Sequence, residues 1–234
     1  MRKTLFVQKQ FDNLNYCEYL PKIKTGERVP LILFLHGGGE RGNDNISQLK
    51  NAILKVINGK SKSKFMKSVV LAPQCPKDVR WVNTLSGNGN YKLENVKESK
   101  TIKKVVKLVK LYRNLEFVDK NKVYVIGLSI GGFGSWDLIA RHPDIFKAAV
   151  PICGGGPIDA IDILKDIPIY TFHGTNDSVV PYSGTKEMVD LIIKAGSTRI
   201  KFVSFNGADH CIWDDAITYQ GNEIELSLED WLFN

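Results

Sequence analysis

The sequence predicts an α/β fold with a mostly parallel central sheet and helices on both of its faces. Short, continuously apolar runs of strand length alternate with segments whose apolar residues recur at helical spacing. Such runs are typical of parallel strands buried on both faces, and regular strand–helix alternation is typical of a sheet built from parallel crossover units. The chain has 234 residues without internal repeats or linker-like stretches, so we expect one domain over residues 1–234.

The predicted strands are short, apolar and bounded by turn-forming residues. The run 31–35 ends at a His-Gly-Gly-Gly sequence, and the run 69–72 is stopped by Pro73. Further strands are predicted at residues 123–126, 148–152, 168–172 and 200–205. Two N-terminal segments, residues 4–11 and 15–20, are predicted to form antiparallel strands at one edge of the sheet.

Helices are predicted between these strands, where apolar residues recur every three or four positions. They cover residues 47–57, 95–113, 186–195 and 223–232, and a further helix follows residue 132 and ends near residue 141. The connection 153–167 has room for one helix, so a large cap domain is not expected there. The connection 73–93 is long and rich in Gly, Asn and Pro, and such loops are usually functional.

Composition excludes several classes of protein. Hydrophobic residues make up 43% and charged residues 24%, which excludes a disordered chain. The longest apolar run, residues 31–35, is too short to span a membrane, and residues 5–7 are too short for the core of a secretory signal. We therefore expect no membrane partner and a cytoplasmic location, with a longer secreted parent chain left open. The four cysteines lack the spacing of metal sites, so we expect thiols and no metal. Their pairing and the oligomeric state are left open.

The net charge of +7 raises the question of a nucleic-acid partner. Much of the excess lies on one face of the predicted helix 95–113, at Lys97, Lys100, Lys103, Lys104, Lys107 and Lys110. That face has no aromatic residues on which bases would stack, whereas lysine stems commonly cover apolar surface on a solvated helix. We therefore expect no nucleic-acid partner.

The sequence Gly127-Leu128-Ser129-Ile130-Gly131 has the pattern G-x-S-x-G and lies between a predicted strand and a predicted helix. A nucleophile on such a sharp turn needs a strained backbone, and glycine at positions 127 and 131 removes Cβ atoms that would collide there. The turn also directs the positive end of the helix at the Ser129 hydroxyl. These features predict Ser129 as a nucleophile rather than as a capping serine.

A serine hydroxyl needs a base within hydrogen-bond reach and an acid that orients the base. The strand 168–172 leads into a segment that contains Asp177, and the strand 200–205 leads into one that contains His210. We therefore predict Asp177 as the acid and His210 as the base, in the order Ser-Asp-His along the chain.

Other histidines and carboxylates are weaker candidates for these roles. His36 and His173 each precede a glycine at a strand end, where a histidine more often orients the backbone. His142 lies at a helix end, where a cation suits the helix dipole. Asp209 and Asp162 are interpreted as surface carboxylates.

Two backbone N–H groups are needed to hold the oxyanion of an acyl-transfer reaction. One is predicted at Ile130, directly after the nucleophile, and the other at Gly38, with Gly39 as the alternative, in the loop after the strand 31–35. A phosphate-binding loop is excluded at these glycines because no Gly-Lys-Ser/Thr sequence follows them.

In these motifs the chain resembles the α/β-hydrolase superfamily, and more narrowly the small serine esterases grouped with feruloyl esterases, acetylxylan esterases and polyhydroxybutyrate-depolymerase-like enzymes. The resemblance runs from residue 30 to residue 215. It is carried by the segments 35–42, 72–76 with Trp81, 127–132, 151–155 and 173–177, and by His210 with Trp213. It implies an α/β-hydrolase fold and hydrolysis of carboxylic esters through an acyl-enzyme, without a metal or cofactor.

The substrate is left open by this resemblance. Trp81 and Trp213 are predicted to wall the substrate pocket, although ordinary packing explains each aromatic equally well, and Gln74 is predicted to face the acyl group. A cleft without a cap suits a polymer-borne ester, such as a feruloyl or acetyl group on a plant polysaccharide. Because the base must be neutral, we expect activity to rise between about pH 6 and 7.

Three alternatives on the same fold are retained. A dienelactone-hydrolase-like enzyme normally has cysteine where this chain has Ser129, which weighs against it. A serine peptidase usually carries an additional domain, for which this chain has no room. A non-enzymatic binding module would be expected to lack one of Ser129, Asp177 and His210, and all three are present.

Overall fold

The central sheet has eight strands in the computed structural model, which describes residues 4–59, 62–84, 89–222 and 226–234. The strands are β1 (Val7–Phe11), β2 (Leu14–Tyr19), β3 (Val29–Leu35), β4 (Val69–Pro73), β5 (Val118–Leu128), β6 (Ala148–Ile152), β7 (Ile169–Gly174) and β8 (Ile200–Phe205). Their order across the sheet is β1-β2-β4-β3-β5-β6-β7-β8. The predictions of a mostly parallel sheet and of an antiparallel N-terminal edge are confirmed, because β1 and β2 run antiparallel to their neighbours and every other pair is parallel.

Seven α-helices lie in the described residues. They are α1 (Ala52–Asn58), α2 (Lys100–Arg113), α3 (Ile130–Arg141), α4 (Ile161–Leu164), α5 (Tyr182–Lys194), α6 (Trp213–Ile217) and α7 (Leu228–Phe233). None of them combines the length and the apolarity that crossing a bilayer requires. The connection between β6 and β7 contains only the single turn α4, so no cap domain is inserted there.

Several helix boundaries differ from the prediction for local reasons. Helix α2 begins at Lys100 because the Ser99 side chain accepts a hydrogen bond from the Ile102 N–H and caps the helix. Helix α5 begins four residues earlier than expected, directly after Pro181. The predicted C-terminal helix begins at Leu228, after a Ser227 cap, and its residues 223–225 lie outside the described part of the chain.

Apolar side chains cover both faces of the sheet, as two layers of helices require. In β3, Leu31, Leu33 and Leu35 face the layer that contains α2, α3 and α5. Ile32 and Phe34 face the opposite layer, which contains α1, α6 and α7. This alternation explains the unbroken apolar run, since successive residues of a strand point to opposite faces.

The strand register places the carboxyl ends of the central strands at one edge of the sheet. Leu35 lies beside Gly127 in the pairing of β3 with β5, and Leu128 lies beside Ile152 in the pairing of β5 with β6. Ile152 in turn pairs with Phe172 of β7. Ligands of open α/β sheets bind outside this edge, so the loops that follow these strands are where a functional site is expected.

Candidate active site

Ser129 forms the turn between β5 and α3. Its backbone has φ 53° and ψ −117°, which is a strained conformation for a residue with a side chain. The Ser129 N–H donates a hydrogen bond of 2.9 Å to the Ile152 carbonyl oxygen, which ties the turn to β6. The residue is largely buried, with 8% of its surface exposed.

The glycines around Ser129 allow three backbone segments to approach each other. A Cβ atom at Gly127 would lie 2.0 Å from the carbonyl oxygen of Gly131, and a Cβ atom at Gly132 would lie 2.6 Å from that of Ile152. The collisions that glycine avoids are therefore with the backbone of the turn itself and of neighbouring strands, rather than with the serine. This arrangement packs the start of α3 against the sheet and presents Ser129 at the carboxyl edge.

Ser129, His210 and Asp177 lie in one hydrogen-bonded series. His210 Nε2 is 2.9 Å from Ser129 Oγ, and His210 Nδ1 is 2.7 Å from Asp177 Oδ2. The three residues follow three different strands, β5, β8 and β7, and the parallel register brings them together. A serine, a histidine and a carboxylate in this geometry can transfer a proton from the hydroxyl to the imidazole while the carboxylate fixes the ring.

The Asp177 carboxylate is surrounded by hydrogen-bond donors. Its Oδ1 accepts from the N–H groups of Val179 at 2.9 Å and Val180 at 2.8 Å. Burial alone would raise the pKa of the Asp177 carboxyl, but the hydrogen bonds from His210, Val180 and Val179 hold that pKa below its usual value. The group is therefore ionised at neutral pH and accepts the His210 Nδ1–H.

His36 orients backbone, as the sequence analysis suggests for a histidine at a strand end. Its Nδ1 lies 2.6 Å from the Gly37 carbonyl oxygen, and its Nε2 accepts a hydrogen bond of 2.9 Å from the Cys75 N–H. These two partners require the tautomer with the proton on Nδ1. Burial lowers the pKa of His36 to about 4, so the ring is neutral in neutral solution.

His142 lies far along the chain from this loop and takes no part in it. His142 directly follows α3, and its Nε2 is 2.7 Å from Oε1 of Glu98, a carboxylate that precedes α2. His173 lies directly behind Asp177 and is buried completely. Its Nε2 is 3.0 Å from Asp177 Oδ2, the oxygen that His210 Nδ1 also approaches.

The predicted oxyanion donors lie at the starts of two helical segments. Ile130 is the first residue of α3, and Gly38 is the first residue of a 3-10 turn, Gly38–Glu40. N–H groups in the first turn of a helix have no partner within that helix and are available to a ligand. A Cβ atom built on Gly37 would lie 3.7 Å from the Cβ atom of Ser129, so this loop contacts the nucleophile turn.

Trp81 does not wall a substrate pocket, and this prediction is wrong. The side chain is completely buried, its Nε1 donates a hydrogen bond of 3.0 Å to the His36 carbonyl oxygen, and its ring packs edge-on against the His36 ring. Trp81 therefore packs against the loop that follows β3 and helps to hold it in place. Trp213 is partly exposed and lies edge-on to His210, with 4.9 Å between ring centroids, so its predicted role at the pocket remains a prediction.

Gln74 also differs from its predicted place beside the acyl group. Its Nε2 donates to the Glu40 carbonyl oxygen and to Asp44, and its Oε1 accepts from the Asn45 N–H at 2.7 Å. All of these partners belong to the loop that follows β3. Gln74 is thus buried and holds that loop in place through hydrogen bonds. No pattern in the neighbouring sequence predicts this role.

Asp209 has a structural role that the sequence analysis missed. Its Oδ1 accepts hydrogen bonds from Ser178 N and Ser178 Oγ, both at 2.9 Å, and from the His210 N–H at 2.7 Å. The residue is exposed, as predicted for a surface carboxylate, but it links the loop that carries Asp177 to the loop that carries His210. Its position directly before His210 is the only signal in the sequence that points to this role.

Within the part of the chain that the structure describes, one group of side chains has the composition of a metal site. Cys153, His173 and Asp177 offer ligand atoms within 4.8 Å of one another. Burial raises the pKa of the Cys153 thiol well above its usual value, and the ring nitrogens of His173 and the oxygens of Asp177 already have hydrogen-bond partners. A protonated thiol and fully bonded partners fit a hydrogen-bonded cluster better than a set of metal ligands. All four cysteines of the chain are free thiols in the structure.

A small notch adjoins the nucleophile turn. It has a volume of about 10 Å³ and is lined by Arg80, Val82, Thr84, Ile130 and Phe133. Residues 85–88 of the same connection lie outside the described part of the chain.

Comparisons with known proteins find an esterase and a depolymerase that are similar to parts of the chain. The chain is 25% identical over 97 residues to a bifunctional acetylxylan esterase/xylanase from Neocallimastix patriciarum, covering 42% of this chain and 14% of that protein. It is 40% identical over 58 residues to a poly(3-hydroxyalkanoate) depolymerase from Paucimonas lemoignei, covering 25% of this chain and 13% of that protein. These matches therefore span about a seventh of the length of either relative.

A solved structure extends the likeness to most of the chain. A thermostable esterase superposes with a TM-score of 0.70 at 29% identity, covering 87% of this chain and 55% of that one. This likeness confirms the α/β-hydrolase fold that the motifs imply.

The family model of dienelactone hydrolases matches residues 88–231. That range includes Ser129, Asp177 and His210 and more than half of the chain. The serine at position 129 weighs against a dienelactone-hydrolase-like protein, but it does not remove the chain from the family. On this evidence the chain is an esterase-like α/β hydrolase and belongs to the dienelactone hydrolase family.

Proposed function

We propose that this protein is a serine carboxylesterase in which Ser129 is the nucleophile, His210 the base and Asp177 the acid. The observation that carries the proposal is the pair of hydrogen bonds from His210, one of 2.9 Å to Ser129 Oγ and one of 2.7 Å to Asp177 Oδ2. The direction of the Asp177 pKa shift supports it, because an ionised carboxylate stabilises the imidazolium that forms during the reaction.

The reaction follows from these positions. Ser129 Oγ attacks the ester carbonyl carbon while its proton moves to His210 Nε2. The tetrahedral intermediate collapses, the bond to the alcohol oxygen breaks, and His210 returns its proton to that oxygen. Water then attacks the acyl-enzyme in the same way, which releases the carboxylic acid and restores Ser129.

The oxyanion of each intermediate is held by the N–H groups of Ile130 and Gly38 in this proposal. Both residues begin helical segments, and such N–H groups are available to an anion. Loss of one such donor typically costs about 3 kcal/mol of transition-state stabilisation.

The proposed substrates are esters whose alcohol part is large or borne on a polymer, such as an acetyl or feruloyl group on a polysaccharide. The acetylxylan esterase among the relatives supports this class. The partly exposed Trp213, beside His210, is the proposed wall for the substrate. The family match favours one second candidate, hydrolysis of a lactone by the same residues.

A fluorophosphonate probe tests the nucleophile. We expect one adduct per chain, located by mass spectrometry at Ser129, and loss of p-nitrophenyl acetate hydrolysis in Ser129→Ala. Ser183→Ala, which changes an exposed serine of α5, is the matched control and is expected to keep full activity. An adduct at another residue, or full turnover by Ser129→Ala, would remove the proposed nucleophile.

A substrate panel tests the proposed class. Acetylated xylan, methyl ferulate, a triglyceride and a dienelactone are compared by kcat/KM. Preference for either of the first two supports the proposal, whereas preference for the dienelactone selects the second candidate.

A further inference from the structure

The Asp177 carboxylate lies between two histidines. His210 Nδ1 and His173 Nε2 approach the same oxygen, Asp177 Oδ2, at 2.7 Å and 3.0 Å. His173 is the penultimate residue of β7 and is completely buried, whereas Asp177 follows it in the loop. The second histidine therefore contacts the acid from inside the protein, without access to a substrate.

The partners of His173 determine which of its nitrogens carries the proton. Nε2 lies 3.0 Å from its hydrogen-bond partner, the Val180 carbonyl oxygen, and 3.0 Å from Asp177 Oδ2, so Nε2 must carry the proton. Burial lowers the pKa of His173, so the ring is neutral and Nδ1 is an acceptor. The Thr185 hydroxyl, 2.7 Å from Nδ1, is its donor.

The remaining polar atoms are consistent with this tautomer. Thr185 Oγ1 is placed to donate to the Gly154 carbonyl oxygen, at 2.9 Å, as well as to His173 Nδ1, and its single proton serves one of these two acceptors at a time. The Gly154 carbonyl oxygen still accepts a hydrogen bond of 3.1 Å from Trp136 Nε1. Every buried polar group in this chain of contacts is satisfied, which is what a rigid support for a carboxylate requires.

We propose that His173 is a positioning residue for Asp177, one that fixes the carboxylate through Oδ2 and shares the negative charge that Asp177 presents to His210. The inference rests on the proposed roles of Ser129, His210 and Asp177. His173 acts only through Asp177, since it touches neither the nucleophile nor the cleft.

Other titratable groups lie near His173 and Asp177 and bear on how a pH profile is interpreted. Cys153, at the end of β6, is a protonated thiol, and the Tyr182 ring of α5 lies edge-on to His173. Asp209 and Cys211 flank His210 along the chain, and Asp209 is ionised and bonded to Ser178. Replacing His173 leaves all of these in place, so a changed pH profile reports the Asp177–His210 pair.

The test compares His173→Leu with His173→Gln. Leucine removes the donor, so kcat is expected to fall about 10- to 100-fold with little change in KM, because Asp177 no longer holds the ring of His210 in place. The acid limb of the kcat/KM profile is expected to move to higher pH, because Asp177 then presents a less shared negative charge to the proposed base. Glutamine can place an N–H donor near the position of Nε2. His173→Gln is therefore expected to keep much of the wild-type kcat and an acid limb close to that of the wild type.

His142→Leu is the matched control, since it removes a histidine that pairs with Glu98 away from Asp177, and it is expected to keep the wild-type profile. Where His173→Leu does not fold, Thr185→Val tests the same network, and it is expected to move kcat and the acid limb in the same directions. Unchanged kcat and acid limb in a folded His173→Leu or Thr185→Val protein would overturn the inference, as would equal losses in His173→Leu and His173→Gln. Failure of the wild-type protein to label at Ser129 would instead overturn the proposed function.

Discussion

The Cβ atom that Gly131 lacks would lie 2.1 Å from the carbonyl oxygen of Leu35. Real Cβ atoms do not approach backbone oxygens this closely, so the first turn of α3 and the end of β3 touch with no room for a methyl group. This contact places the Ser129 turn against the loop that contains Gly38. The proposed nucleophile and the proposed oxyanion donor are thus held together by backbone packing rather than by side chains.

Gly131→Ala is expected to destabilise the protein by about 3 kcal/mol or more, since either α3 or β3 must move to admit the methyl group. Urea unfolding measures this change. Gly39→Ala is the control, because a Cβ atom at Gly39 meets nothing within 4 Å. The stability of this variant is expected to remain close to that of the wild type. Equal stability of the two variants would contradict the packing argument.

Asp209→Ala is expected to lower kcat by about 10-fold or more, because the loops carrying Asp177 and His210 lose the carboxylate that joins them. Asp209→Asn keeps an acceptor oxygen and is expected to lose less. Hydrogen bonds from the Ser178 N–H, the His210 N–H and the Ser178 hydroxyl hold the pKa of Asp209 below its usual value, so the link persists in mildly acidic solution.

Asp215→Ala controls for the loss of one negative charge on the same surface. Asp215 is exposed in α6, five residues beyond His210, and its removal is expected to leave kcat unchanged. If the Asp215 and Asp209 variants lose activity equally, the effect is one of net charge and the linking role is wrong.

Arg141→Leu is expected to cost about 3 to 5 kcal/mol of stability at neutral pH, because Asp137 would become an unpaired buried charge. Arg141 Nε lies 3.0 Å from both oxygens of Asp137, which also accepts a hydrogen bond of 2.8 Å from the Tyr91 hydroxyl. Burial raises the pKa of Asp137. The stability lost in Arg141→Leu should therefore become smaller as the pH falls and the carboxyl takes up a proton.

Chemical unfolding between pH 4 and pH 8 measures this dependence. Lys186→Met breaks an exposed ion pair with Asp190 on α5 and is expected to leave stability unchanged at every pH. A deficit in Arg141→Leu that is the same at pH 4 and pH 8 would show that Asp137 is not the source of the loss.

On acidification, the free energy of unfolding is expected to fall less in His36→Gln than in the wild-type protein. The pKa of His36 is about 4 in the folded protein, and an unfolded histidine has a pKa of about 6.5. The folded state therefore binds the proton less tightly, so stability is full above about pH 6.5 and falls by about 3 kcal/mol by about pH 4. Glutamine keeps an acceptor near the Cys75 N–H but does not titrate.

The difference in unfolding free energy between wild type and His36→Gln, followed from pH 8 to pH 4, isolates this contribution. The difference should be constant above pH 7 and should change in favour of the variant below it. Parallel curves across the whole range would mean that His36 titrates normally.

Features of the fold that depend on local sequence were predicted well. The apolar runs located β3 and β4, and the G-x-S-x-G pattern located the turn between β5 and α3, because strand burial and tight turns are determined by nearby residues. The proximity of Ser129, Asp177 and His210 followed from one further assumption, that parallel strands end at the same edge. The structure places them within hydrogen-bond distance.

Features that depend on tertiary partners were not predictable in this way. Trp81 is of a residue type that often lines pockets, but its Nε1 donates a hydrogen bond to the His36 carbonyl oxygen, 45 positions earlier in the chain. Gln74 and Asp209 use their polar atoms to brace loops that are distant in sequence. No periodicity or spacing records such contacts, since the same side chains would suit a cleft equally well.

The position of β8 at the edge of the sheet has a kinetic consequence. β8 pairs only with β7, and His210 follows it, so the proposed base takes its place only when the last strand has docked. A chain in which β8 has not docked therefore lacks the proposed base, even where the Ser129 turn has formed. Turnover recovered after dilution from denaturant is expected to appear no earlier than the docking of β8.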